Sequence, residues 1–335
     1  YTSQYTLSLH DALPIYTVDT PIRLGISSCL LGENVRYDGQ HKLDRFLRDT
    51  LGQYVEYVPV CPEFECGLGV PREAMRLVGD PEHPRLKTTR TNRDLTEQME
   101  SFAYRRVREL AGENLCGFIF KSKSPSSGME RIKVYNDKGM PSSNQGVGIF
   151  ARIFMEAFPL LPTEEEGRLH DVGLRENFIE RIFVFKRWKD TVEAQPTPAG
   201  LVDFHTRHKL LIMAHSPTAQ SKMGKLVANA GAKSAFGELR KTYLNILLPA
   251  LKSKATVRKN TNVLEHAMGY FKNDLTADEK SELLDVISSY HQGFLPLIVP
   301  VTLLNHYIRK YDKAYLRDQY YFHPHPTELK LRNHS

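Results

Sequence analysis

Residues 22–32 read IRLGISSCLLG. An apolar run from Ile22 to Ser27 gives way to small residues and a cysteine, which predicts a buried strand ending in a tight turn. The same order returns twice. In residues 55–69, VEYVPVCPEFECGLG, a second strand covers Val55 to Val60, and Pro59 suits a strand end or an edge. In residues 116–128, CGFIFKSKSPSSG, a third strand from Cys116 to Lys121 meets a serine-rich turn. Between them, His41 to Leu51 places Leu43, Phe46, Leu47 and Leu51 at helical spacing, and Leu95 to Leu110 reads as a strongly amphipathic helix. Met75 to Val78 and Arg85 to Thr89 flank GDPEHP as a small hairpin. Alternating strands and helices predict a parallel α/β sheet, whose ligands gather beyond the carboxyl ends of the strands. All three predicted strands end in turns rich in reactive side chains.

Gly146 to Phe158 predicts the helix that closes this domain, before Pro159 and Pro162 break the pattern. The expected layout is an α/β domain over residues 21–160, a connecting helix and linker over 161–200, and an all-α helical domain over 201–335. QPTPAG, residues 195–200, is the expected linker. Beyond it, helices are expected at Leu201–Ala214, Pro217–Ala230, Ala235–Ala250, Lys259–Lys272, Ala277–Gln292 and Leu297–Lys310. Residues 1–20 stand apart as a leader. Its Tyr5 to Ile15 segment, YTLSLHDALPI, back-translates without a break into a common short-read sequencing adaptor, so the leader is expected to be non-native or disordered.

A chain of 335 residues with 41% apolar and 25% charged residues has material for two hydrophobic cores. Its net charge of +6 comes from basic residues interleaved with acids, as on a mildly basic enzyme surface. Four cysteines are too few for a disulfide framework in a chain this long. No secretory signal is visible, so the cytoplasm is the expected compartment and the cysteines read as thiols or ligands. No uncharged apolar run reaches the roughly 18 residues of a membrane-spanning helix.

Cys29 follows the first strand, Cys61 and Cys66 follow the second, and Ser124, Ser126 and Ser127 follow the third. Thiolates at adjacent strand ends suit zinc or an iron–sulfur cluster, where a lone cysteine reads as a small core residue. Glu63, two residues past Cys61, can serve as a proton carrier or pair with Arg36 or Arg72. Arg36, Tyr37, His41 and Lys42 are candidates for the pocket wall. Cys116 sits at the opposite end of its strand and reads as core.

ISSCLLGENVRYDGQHK, VPVCPEFECGLGVPREAM and KSKSPSSG resemble the three signature blocks of the thiouracil desulfidase (TudS-like) family, over about Ile22 to Pro159. The resemblance implies a Rossmann-like fold and a [4Fe–4S] cluster on three cysteines with one iron open to the sulfur of a thiocarbonyl. It implies removal of that sulfur from a thiolated nucleobase or nucleoside, thiouracil giving uracil and hydrosulfide. Cys29 and Cys61 match two cluster ligands, Glu63 matches the catalytic glutamate, and Ser124 matches the serine opening the third block. Ser127 stands where the third cysteine belongs. Cys66, beside two glycines, is therefore the expected third sulfur ligand, with Ser127 as an oxygen contact. The alternatives are a protein that binds nucleotide or nucleic acid around a structural metal, and a scaffold without its cluster.

FHTRHKLLIMAHSP, NTNVLEHAMGYFKNDLTADEKSELL and PLIVPVTLLNHYIRKY resemble the YbgA-like domain, over about Leu201 to Asn333. The resemblance implies a helical fold and no particular reaction. His205, His208 and His215, with His266 and His306, are candidate metal ligands, though polar packing is the commoner use of helical histidines. Arg207, Lys209, Lys222, Lys225 and Tyr243 could face a nucleic acid or form a solvated surface. Aromatics in Val301–Tyr307 and Tyr315–Tyr321 read as core. A homodimer is a further possibility.

Overall fold

The computed structural model describes residues 21–230 and 236–333. The leader over residues 1–20 lies outside the described residues. Strands β1 (Ile22–Ser27), β2 (Val55–Val60), β5 (Gly117–Phe120) and β8 (Thr163–Glu165) form a wholly parallel sheet in the order β2-β1-β5-β8. A second sheet, in the order β4-β3-β6-β7, contains β3 (Met75–Val78), β4 (Arg85–Thr88), β6 (Ile132–Tyr135) and β7 (Pro141–Gly146). Its β3–β4 and β6–β7 pairs are antiparallel, and β3 runs parallel to β6. The predicted hairpin is thus one half of a sheet whose other half was not predicted. The cause is composition: β7 reads PSSNQG and buries only Gly146, so it lacks the apolar alternation that marks a strand.

Side-chain alternation gives the parallel sheet two apolar faces. Val58, Val60, Phe118 and Phe120 pack under α1 (Thr96–Ala111) and α2 (Ile149–Ala157). Ile22, Leu24, Ile26 and Ile119 belong to the other core, with α3 (Val172–Trp188) and the helical half of the chain. Gly25 is small because the Phe118 ring crosses it: a β-carbon there would lie 2.1 Å from that ring. The predicted helix over His41–Leu51 is instead a single wide turn, Phe46–Thr50, and a 3-10 turn, Leu51–Gln53.

α3 departs most from its expected role as a connector. Twelve consecutive residues, Asn177 to Trp188, are buried, as in a helix enclosed on every side. Ile182 abuts the sheet at Gly117, while Trp188 stacks on Tyr243 at 5.4 Å. Its buried charges are partnered. Glu180 meets Arg332 at 2.9 Å and His215 at 3.0 Å, and Lys186 meets Asp190. The expected linker at 195–200 is largely a helix start, where Thr197 accepts a hydrogen bond from the Gly200 N–H to cap α4 (Pro198–His215). The helical half continues through α5 (Pro217–Ala228), α6 (Phe236–Lys252), α7 (Val257–Met268), α8 (Ala277–His291), α9 (Ile298–Lys310) and the short α10 (Ala314–Arg317). Side-chain caps from Ser216, Thr256 and Thr276 open α5, α7 and α8.

Adding one methyl at the Phe118 contact tests the sheet packing. Gly25→Ala is expected to cost about 1–3 kcal/mol in chemical denaturation, the usual penalty of overfilling a core. Gly237→Ala, where a β-carbon meets nothing within 4 Å, is the control expected to leave stability level or slightly raised. Equal midpoints for the two variants would refute this packing.

Candidate functional site

Three turns leave the same edge of the parallel sheet. Cys29 lies in the 3-10 turn Ser28–Leu31 after β1. Cys61 follows β2 directly, and Cys66 lies in the wide turn Phe64–Leu68. Ser124, Ser126 and Ser127 follow β5. The turns are tied together by side chains. The Ser27 hydroxyl accepts from the Lys121 N–H at 2.9 Å, joining the ends of β1 and β5. Glu65 accepts from the Cys61 N–H at 2.6 Å and pairs with Arg106 of α1 at 3.0 Å. Gln98, also on α1, donates to the Cys66 carbonyl at 2.9 Å.

A cavity of about 450 Å³ opens between these turns. Cys29, Cys61, Glu63, Ser124 and Ser127 line it, as do Arg36, Tyr37 and Lys42. His41 does not. Glu63 is held from both sides. Arg72 forms an ion pair with it, settling the choice between Arg36 and Arg72. Arg72 is itself braced by the Val35 and Gly69 carbonyls, each at 2.9 Å. On its other side, Glu63 accepts from the Ser126 hydroxyl at 2.6 Å and the Ser124 hydroxyl at 3.2 Å. A carboxylate held by a guanidinium and two hydroxyls has one orientation.

The cavity wall is strongly cationic. Arg36, Lys42, Lys121 and Lys123 all line it. Arg36 pairs with Asp38 at 3.3 Å, and Lys121 pairs with Glu166, which also accepts from the Ser122 N–H at 2.6 Å and hydroxyl at 2.7 Å. No ion-pair partner of Lys42 or Lys123 is found among the described residues. Glu166 was missed in the sequence because EEE at 164–166 reads as a polar turn. Its signal was position, since it follows a strand that sequence reasoning also missed.

The expected meeting of Cys29, Cys61 and Cys66 does not occur. Cys66 is absent from the cavity wall. Its thiol donates to the Glu63 carbonyl at 3.3 Å, and its side chain packs against the core beneath α1. Among the described residues, no group of three His, Cys, Asp or Glu side chains is gathered to hold a metal. The [4Fe–4S] cluster implied by the resemblance needs three thiolates, and this cavity offers two, with the Ser127 hydroxyl at the third turn. The residues present do not fit that cluster. Burial pushes the Cys29 thiol up to about 11 and the Cys61 thiol up to about 12, so both are protonated at neutral pH.

The histidines of the helical half do not converge either. His205 bonds the Tyr243 hydroxyl at 3.0 Å, while His208 meets the Phe204 carbonyl at 2.7 Å and the Arg187 guanidinium at 3.0 Å. His215 meets Glu180 and the Ser253 carbonyl. Tyr243 is fully buried, which removes it from any nucleic-acid surface. Arg207 pairs with Asp203 at 2.9 Å.

Comparison with known proteins agrees with this division. Residues 24–166 match the model of the 2-thiouracil desulfurase family, and residues 209–326 match a family described as a protein of unknown function, DUF1722. The uncharacterized protein YbgA of Escherichia coli is 33% identical over 153 residues, 46% of this chain and 90% of YbgA. The chain belongs to the YbgA family. To the YbgA-like helical half it joins a thiouracil-desulfidase-like α/β half. The uncharacterized protein YbbK of Bacillus subtilis is 28% identical over 152 residues, 44% of this chain and 97% of YbbK. A solved structure described as the [4Fe-4S]-dependent thiouracil desulfidase TudS is 27% identical, covering 46% of this chain and 97% of its own, with a TM-score of 0.37. Among the described residues, no helix is long and apolar enough to cross a membrane.

Raised thiol pKa values have a kinetic consequence. Alkylation of Cys29 and Cys61 by iodoacetamide is expected to accelerate about tenfold per pH unit from about pH 7 to about pH 9, because only the thiolate reacts. Peptide mapping of the alkylated cysteines measures this directly. A plateau below about pH 9 would contradict the protonated state.

Proposed function

We propose that the cavity removes sulfur from a thiolated nucleobase or nucleoside, converting a thiocarbonyl into a carbonyl and releasing hydrosulfide. One observation carries this reading: a carboxylate, Glu63, held between Arg72 and two serine hydroxyls beside a cavity lined by cysteines. The match of residues 24–166 to the 2-thiouracil desulfurase model supports the same chemistry. The net reaction consumes one water. Its oxygen becomes the carbonyl oxygen, one of its protons leaves with the sulfur as hydrosulfide, and the other passes to solvent. No oxidant or reductant is needed.

Glu63 takes a proton from the attacking water and returns it to the departing sulfur. The Ser124 and Ser126 hydroxyls keep the carboxylate aimed, and Ser124, which lines the cavity, can turn its single proton from Glu63 to the substrate while Ser126 holds the carboxylate. Lys42, Lys121 and Lys123 stabilise negative charge as it develops on sulfur. The cationic wall also favours a substrate that is itself anionic, such as a thionucleotide over the free base.

Anaerobic sulfide release from thiouracil, thiouridine and their 5′-phosphates tests the proposal. Glu63→Gln is expected to lower the rate by about 10²–10⁴, the range of general acid–base catalysis. The 5′-phosphate should show the higher kcat/KM, with an advantage that shrinks as salt rises. An unchanged rate in Glu63→Gln would overturn the role of Glu63. Binding of nucleotides with no sulfide released from any thiocarbonyl would favour the binding-protein alternative.

A further inference from the structure

We infer that Ser127 occupies the third ligand point of this cavity, so that the native chain offers iron two thiolates and one hydroxyl, and that Cys66 is not a ligand. The inference rests on the placement of the three turns and not on the desulfidation reading. β2, β1 and β5 are neighbours whose ends line the same cavity: Cys61 and Cys29 from the first two, and Ser122, Ser124 and Ser127 from the third, of which Ser122 and Ser124 give their hydroxyls to Glu166 and Glu63. Ser127 is buried, at 4% exposure. Its backbone N–H is held by the Ser124 hydroxyl at 3.1 Å, which fixes where its β-carbon points. Its own hydroxyl has only a long contact, 3.5 Å, to the Ser126 hydroxyl, so no strong hydrogen bond has to be given up for it to turn toward a metal.

Cys66 is held away from the cavity at three places. Its thiol is engaged by the Glu63 carbonyl, its own carbonyl by Gln98, and its side chain by the α1 core. Bringing its sulfur to the other two would require the whole Phe64–Leu68 turn to reorganise. A change from serine to cysteine at position 127 needs no backbone movement, because sulfur replaces oxygen on the same β-carbon. The chemical difference is large. Iron–sulfur clusters are built on soft thiolates, and a serine hydroxyl is a harder donor that holds its proton more firmly. The native site should therefore bind iron weakly, and Ser127→Cys should complete a set of three sulfurs.

The test is anaerobic reconstitution of the full chain with ferrous iron and sulfide, followed by a timed chelator challenge. Iron and acid-labile sulfide per chain are then measured, with circular dichroism to verify folding. Ser127→Cys is expected to lose iron at least about tenfold more slowly than the native chain, on the scale of metal-site changes. Cys66→Ala should match its parent in both the native and the Ser127→Cys backgrounds, while Cys29→Ala should abolish retention in the latter. The inference is overturned if Cys66→Ala strips iron from either background. It is also overturned if folded Ser127→Cys holds iron no better than the native chain, including the case where neither holds any. These readouts need no substrate. A fully loaded Ser127→Cys protein that released no sulfide from any thiocarbonyl would sink the proposed function and leave this inference standing.

Discussion

The in-register parallel pairing of β1 with β2 on one side and β5 on the other sets everything else in the site. Ser27 lies opposite Val60, and Ile26 lies opposite Ile119, so the three strands end at one edge. Parallel strands bring like ends together, which no hairpin could do. Cys29, Cys61 with Glu63, and the serine turn thus surround one cavity although they are nearly a hundred residues apart at the extremes. The Ser27–Lys121 hydrogen bond ties two of those ends directly. A slip of one residue in β1 would turn Ile22, Leu24 and Ile26 from their core to the opposite face, so the register is enforced by burial.

Within that frame, the electrostatics are organised around Glu63. Arg72 is almost wholly enclosed, at 5% exposure, and the Glu63 side chain is 17% exposed. A pair this sheltered is weak evidence for added stability, because both charges must be desolvated. It does define a single orientation for the carboxylate. The cysteines obey the same physics with the opposite outcome: burial favours the neutral thiol at Cys29 and Cys61. Any cation entering the cavity must displace those protons, which couples metal uptake to pH.

The three strands of the site were legible in the sequence because each carries an apolar run stopped by small or reactive residues. So were their loaded ends, since carboxyl termini of parallel strands collect ligands. Position singled out Glu63 and the serines as candidates, and the resemblance to the desulfidase family supplied their roles. The sequence did not reveal that Cys66 faces the wrong way. Two cysteines five residues apart on one loop look equivalent, and only the turn Phe64–Leu68 and its grip by α1 separate them. β7 and β8 were hidden because one is polar and the other is three residues long. The depth of α3 was hidden too. Residues 161–200 read as a connecting helix and linker, yet Glu180, Arg181, Lys186 and Arg187 are all buried. Partners for Glu180 and Arg187 come from distant segments, such as Arg332 and His208, that no local pattern announces.

α3 also joins the two halves, since its residues share a core with β1 on one side and with α4 and α6 on the other. The site at the strand ends and the helical half are therefore parts of one packed structure. The most direct measurement of the site is cross-linking of native thiols with a short bifunctional thiol reagent, followed by peptide mass spectrometry. The predicted product is a bridge between Cys29 and Cys61, with Cys66 modified singly. A bridge from Cys66 to Cys29 would contradict the placement on which the cavity, the proton carrier and the third ligand point all depend.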